Sequence, residues 1–147
     1  MGKRKDIAND IIERTGIDEA LIDRLVRCFY NEVRRDPLLG PVFNARITDW
    51  EPHLQQMIAF WSSVALLSGR YHGRPMDKHL PLPIEGRHFE RWLSLFEQTA
   101  EDVCSGPAAA FFIERAHRIA ESLQLGIARH HGVLLRKGER LELSPAG

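Results

Sequence analysis

The chain has 147 residues, 44% of them apolar and 27% charged, and its 20 Lys and Arg are balanced by 20 Asp and Glu. A chain of this length predicts one domain that hides about 68–70% of the surface its unfolded form exposes, and the balanced charge gives no pull toward nucleic acid or an anionic membrane. The longest apolar run, Met57 to Leu67, is broken by Ser62 and Ser63 and is well short of the roughly 20 residues that span a bilayer. The opening MGKRKD has no apolar signal core, and Asp6 stands where myristoylation wants Ser or Thr; the expected location is cytoplasmic. Cys28 and Cys104 predict two reduced, partly buried thiols rather than a disulfide framework.

Residues 5 to 14 predict a first helix, with Ile7, Ile11 and Ile12 on one side and Thr15-Gly16 as its stop. A second should begin at Asp18, a good N-cap, and run to about Arg35, because Leu21, Ile22, Leu25, Val26, Phe29 and Val33 repeat at three and four. Tyr30 follows Phe29 near that apolar face, so its hydroxyl needs a partner, which a main-chain carbonyl or a ligand could equally supply. Asp36-Pro37 ends this helix, and PLLGPVFN reads as a tight, proline-punctuated corner leading to Phe43.

Thr48-Asp49, with Glu51 completing a capping box and Pro52 in the first turn, signals a helix to about Ser68. It carries two apolar stripes, His53, Met57, Phe60, Val64 and Leu67 on one and Leu54, Ile58, Trp61 and Ala65 on the other. A helix apolar nearly all round must be covered on more than one side. His53 then reads either as a surface residue of the first turn or as a group looking into whatever covers Met57. The next stretch, SGRYHGRPMDKHLPLP from Ser68 to Pro83, holds His79 on a short proline-bracketed segment between Met76 and Leu80. Such a histidine suits metal ligation, and equally a buried loop position.

After a turn from Pro83 to Arg87, a helix is expected over 87–104, with Phe89, Trp92, Leu93 and Phe96 on its core face and His88 one turn before Trp92. Gly106-Pro107 starts the last long helix, whose stripe of Ala109, Phe112, Ile113, Ala116, Ile119, Ala120 and Leu123 reads as ordinary core, with Gly126 fraying its end. From His130 onward the chain is polar and Gly-rich, which predicts a mobile tail over 130–147. No strand alternation or internal repeat is present, so the expected class is all-α.

The blocks FYNEVRRDPLLGPVFN, W..HL..M..FW, SGRYHGRPMDKHL.LP, HFERWLSLF and RA.RIA.SL, in this order from about Phe29 to Leu125, resemble the group III truncated haemoglobins. The resemblance implies a truncated globin over residues 1–129, a two-over-two helical sandwich around haem b, iron protoporphyrin IX. It places the proximal iron ligand at His79, on the motif P-x-x-x-H-L read here as Pro75 to Leu80, and sets Tyr30, His53 and Trp92 on the distal side with Phe43 against the porphyrin. Haem is an apolar disc with two carboxylates, so Met57, Phe60, Val64, Leu93 and Phe96 are expected as walls, and Arg70, Tyr71, Arg74, Lys78 and His88 as candidates for the propionates.

One imidazole on iron leaves the opposite position open, and the second ring nitrogen of His79 should bond a carbonyl such as that of Pro75. The implied function is reversible binding of a diatomic gas (oxygen, carbon monoxide or nitric oxide), with Tyr30 and Trp92 as donors and His53 as a gate, a donor or a sixth ligand, of which gating is favoured. The alternative is a redox enzyme on the same haem, a nitric oxide dioxygenase or peroxidase-like activity served by an external electron donor protein or reductase. A sensor or helical interaction module is the third class.

Overall fold

The computed structural model describes residues 10, 12–71, 84–132 and 135. The expected first helix is helical over 12–15, where Gly16, at φ +74°, closes the turn by donating its N–H to the Ile12 carbonyl at 2.8 Å. Residues 5–9 and 11 of that expectation lie outside the described residues, and Ile12 remains 41% exposed rather than covered.

Helix α1 spans Glu19–Arg35. It starts where the sequence places it, the Asp18 carboxylate accepting the Leu21 N–H at 2.8 Å, which satisfies one of the donors a helix start leaves open. Its buried face is Ile22, Leu25, Val26, Phe29, Tyr30 and Val33, the expected stripe. The following PLLGPVFN segment is a correction: it is no mere corner but opens helix α2, Leu39–Arg46. Asp36 makes this possible. Its Oδ2 accepts the N–H groups of Leu38 and Leu39 at 3.1 and 3.0 Å, so a side chain one turn upstream caps α2. Gly40 is required for the tight return, since a Cβ there would sit 2.8 Å from the Arg34 carbonyl oxygen. Pro41 falls within the first turn, where its missing N–H costs nothing.

Helix α3 spans Trp50–Leu66, with Asp49 as its N-cap. The capping box expected at Thr48 and Glu51 is absent; Glu51 instead takes both terminal nitrogens of Arg27 on α1, at 2.8 and 3.0 Å. That pairing, with a further bond from Gln55, holds the Glu51 carboxyl down to about 2. The helix ends earlier than Ser68, at Leu67, which takes the left-handed conformation at φ +53° and terminates the hydrogen-bond ladder in the way a glycine commonly does.

Helices α4, Gly86–Val103, and α5, Gly106–His130, complete the frame. Gly126 does not fray α5, which continues four residues past it. α4 packs along α5, α1 packs on α2, α3 and α4, and α2 also meets α4. The result is the expected two-over-two all-α sandwich, α1 with α3 against α4 with α5, and no strand occurs among the described residues. Phe29, Phe96 and Phe112 are its largest fully buried side chains, each removing about 1.5–3 kcal/mol worth of apolar surface from water. No described helix is long and apolar enough to cross a membrane. Both cysteines are free, but Cys28 is exposed rather than partly buried. Cys104 is half-buried, and burial outweighs the nearby Arg24 to push its thiol up to about 11, so it stays protonated and unreactive.

Asp36 is 5% exposed and its Oδ1 also receives the Arg91 Nε of α4 at 2.6 Å. Burial alone would raise its pKa, but the Leu39 N–H, Arg91 and the Leu38 N–H together hold it below the usual carboxylate value. A depressed carboxylate stabilises the fold fully above its unfolded pKa and loses that contribution as pH falls through its folded pKa. Asp36→Asn is therefore expected to cost about 2–4 kcal/mol at pH 7, and the gap to wild type in urea unfolding should shrink as pH is lowered below 4.

Candidate functional site

Between the helix pairs lies a cavity of about 380 Å³, within the range of cofactor and small-molecule sites. All five helices line it: Tyr30 of α1, Val42, Phe43 and Arg46 of α2, His53, Met57, Phe60 and Trp61 of α3, His88, Phe89 and Trp92 of α4, and Ile119, Ala120 and Leu123 of α5. The lining is mostly apolar, with a few polar groups set into it.

One wall is built from rings of α1, α2 and α3. Tyr30 meets His53 edge-on at 5.3 Å between centroids and Phe43 at 6.0 Å. Trp50 lies behind them, 5.5 Å from His53 and nearly parallel to Phe43 at 6.5 Å, with the Arg34 guanidinium 4.7 Å over its face. Tyr30 is 5% exposed, and burial raises its phenol pKa well above the ordinary value. It therefore remains an O–H donor at neutral pH.

A second group of rings is a stack. Trp61 of α3, Phe96 of α4 and Trp92 of α4 lie ring over ring, at 5.2 and 5.5 Å with interplanar angles of 18° and 13°. Phe29 closes it edge-on, 5.4 Å from Trp92 and 5.2 Å from Phe96. Such contacts add about 0.5–1.5 kcal/mol per pair beyond burial, and they fix the plane of the Trp92 indole. At the start of α4, His88 Nδ1 accepts the Glu85 N–H at 2.9 Å. Burial first, then the charge of Arg87, lowers the His88 pKa against the opposing Glu85 interactions; its ring is neutral, with its proton on Nε2.

The sequence matches the bacterial-like globin family over residues 10–124. It is 35% identical over 121 residues to the group 3 truncated hemoglobin ctb of Campylobacter jejuni, covering 79% of this chain and 95% of that protein. This chain belongs to the bacterial-like globins, as a truncated haemoglobin. The crystal structure of a group III truncated hemoglobin from Campylobacter jejuni superposes with a TM-score of 0.71 at 32% identity, over 84% of this chain and 96% of the other. A truncated oxygen-avid haemoglobin from Bacillus subtilis superposes with a TM-score of 0.64 at 25% identity, over 77% and 97%.

In this globin the structure brings together Tyr30, Phe43, His53, Met57, Phe60, Tyr71, His88 and Trp92, all of them lining one cavity. Three expected wall residues are absent from this lining: Phe96, 1% exposed, lies between Trp61 and Trp92 in the stack, while Val64 and Leu93 pack against the core. Arg70 is also absent from the lining, and its guanidinium pairs with Glu19 at 3.0 Å, beside the bonds that Ser62 makes to Glu19 and Ser68 at 2.8 and 2.7 Å. Tyr71, a candidate for the propionates, lines the cavity, with its N–H on the Ser63 Oγ at 3.0 Å and its ring edge-on to Phe60 at 5.3 Å. His79, Lys78 and Arg74 lie outside the described residues.

Sequence reasoning missed Arg46, Trp61, Phe89 and the α5 residues Ile119, Ala120 and Leu123. An apolar helical stripe looks the same whether it meets another helix or a cavity, so only the packing separates the two. Phe96→Ala, which empties the middle of the stack, is expected to lower stability by about 3–5 kcal/mol. Near-ultraviolet circular dichroism should also lose intensity as the Trp61 and Trp92 indoles are freed.

Proposed function

We propose that this globin holds haem b in the cavity and binds a diatomic gas, oxygen, carbon monoxide or nitric oxide, reversibly. The observation that carries the reading is Tyr30, a buried phenol that stays protonated, set with His53 in one wall of a mostly apolar cavity that the stacked indole of Trp92 also lines. The residues present fit haem: aromatic and aliphatic faces from five helices suit an apolar disc, and the few polar groups are donors or neutral rings. Bound haem supplies an iron that takes up a diatomic molecule. His79, on the P-x-x-x-H-L motif, would hold the iron in this reading. The globin domain is residues 1–129, a boundary supported by the family match over 10–124 and the end of α5 at His130.

The chain's own part is selection and retention. The Tyr30 O–H and Trp92 Nε1–H are donors for a ligand that gathers partial negative charge, each worth about 1.5–3 kcal/mol. His53, half-buried with its ring edge-on to both Tyr30 and Trp50, takes the gating role. Oxygen is favoured among the gases by this donor pair and by the oxygen-avid character of the Bacillus subtilis protein it resembles. Reversible binding needs no electron donor, whereas nitric oxide dioxygenation or peroxidase-like turnover on the same site would.

Stopped-flow displacement of oxygen from the haem-loaded chain tests the reading. Tyr30→Phe is expected to speed oxygen release by about tenfold or more, and the wild-type rate should stay flat between pH 6 and 9 because the phenol does not titrate there. An unchanged off-rate in Tyr30→Phe removes Tyr30 from the ligand's surroundings.

A further inference from the structure

Among the described residues that line the cavity, Arg46 alone is a cation, and none is a carboxylate. It is the last residue of α2 and, like Gln56 in the second turn of α3, it both lines the cavity and is exposed. Neighbouring arginines are engaged elsewhere: Arg27 with Glu51, Arg70 with Glu19, Arg91 with Asp36, and Arg34 over the Trp50 ring. No ion pair forms on Arg46 among the described residues. A mostly apolar cavity edged by a guanidinium that no described residue pairs is complementary to a ligand that is apolar in its body and anionic at one edge.

We propose that Arg46 binds a propionate carboxylate of haem, so that the carboxylate edge of the cofactor faces the opening between the end of α2 and the second turn of α3. This inference rests on the haem reading of the cavity and adds the residue and the orientation. Arg70, expected from sequence for this task, is held on the α1 side by Glu19 at 3.0 Å and is absent from the lining. His88 lines the cavity but is a neutral ring whose Nδ1 is already an acceptor, so it offers one neutral donor and no charge. A guanidinium can meet a carboxylate with two parallel N–H donors. Because Arg46 is exposed, the pairing is expected to be modest and salt-sensitive.

The test is the rate at which the loaded chain loses its cofactor to an excess of haem-scavenging apoglobin. It is run with mesohaem and with mesohaem dimethyl ester, for wild type, Arg46→Met and Arg70→Met. Arg46→Met is expected to lose mesohaem about threefold to tenfold faster than wild type at low salt, with the difference narrowing in 1 M sodium chloride. The ester should leave wild type and Arg46→Met at the same rate, and Arg70→Met should match wild type with both cofactors. Equal acceleration of diacid and ester would show that Arg46 acts by shape and not charge, and overturns the proposal. Mesohaem loss unchanged in Arg46→Met, or accelerated in Arg70→Met alone, overturns it too while leaving the haem reading intact. A wild-type chain that takes up neither cofactor overturns both.

Discussion

Asp36 joins three of the five cavity-lining helices through one carboxylate. It ends α1, caps α2 through the Leu38 and Leu39 N–H groups, and receives Arg91 from α4. A buried carboxylate with one partner missing costs several kcal/mol, whereas a fully satisfied one fixes the geometry of everything bonded to it. The placement of Phe43 and Arg46 at the cavity depends on that cap, because α2 has only eight residues and is too short to persist alone. Gly40 lets α2 return within contact of the α1 carbonyl ends. Cap and glycine together convert a proline-rich corner into a cavity wall.

α3 divides its two apolar stripes between two tasks. Ile58, Trp61 and Ala65 are buried against the core, while His53, Met57 and Phe60 face the cavity. Trp61 belongs to both sets, lining the cavity and stacking on Phe96, with Phe112 of α5 edge-on at 5.7 Å. The cavity wall is thus continuous with the buried core, and rigidity in one becomes rigidity in the other. For a site that selects among very small ligands, donors held in fixed planes discriminate better than donors that must first be ordered.

Much of this was legible in the residues. The stripes of α1, α3, α4 and α5 follow helical spacing, Asp18 is an N-cap by type and position, and the ordered blocks around Tyr30, His53, His79 and Trp92 pointed to one family. What was not legible depended on partners distant in sequence. Glu51 looked like half of a capping box because its true partner, Arg27, lies 24 residues upstream. Arg70 looked available because Glu19 is 51 residues away. Phe96 carried the same spacing as a wall residue, and only the stacking of Trp92 over it shows that it stands one layer back. Arg46 gave no signal, since a lone arginine at a helix end is ordinary in any surface helix.

The measurement that bears most directly on the haem assignment is a titration of the purified chain with haem, followed by both absorption and tryptophan emission. Trp61 and Trp92 form part of the cavity wall. The account predicts saturation at one haem per chain, strong quenching of tryptophan emission at the same endpoint, and a stable carbonmonoxy spectrum after reduction. Uptake that never saturates, or that saturates without quenching, would place haem outside the cavity and contradict the account.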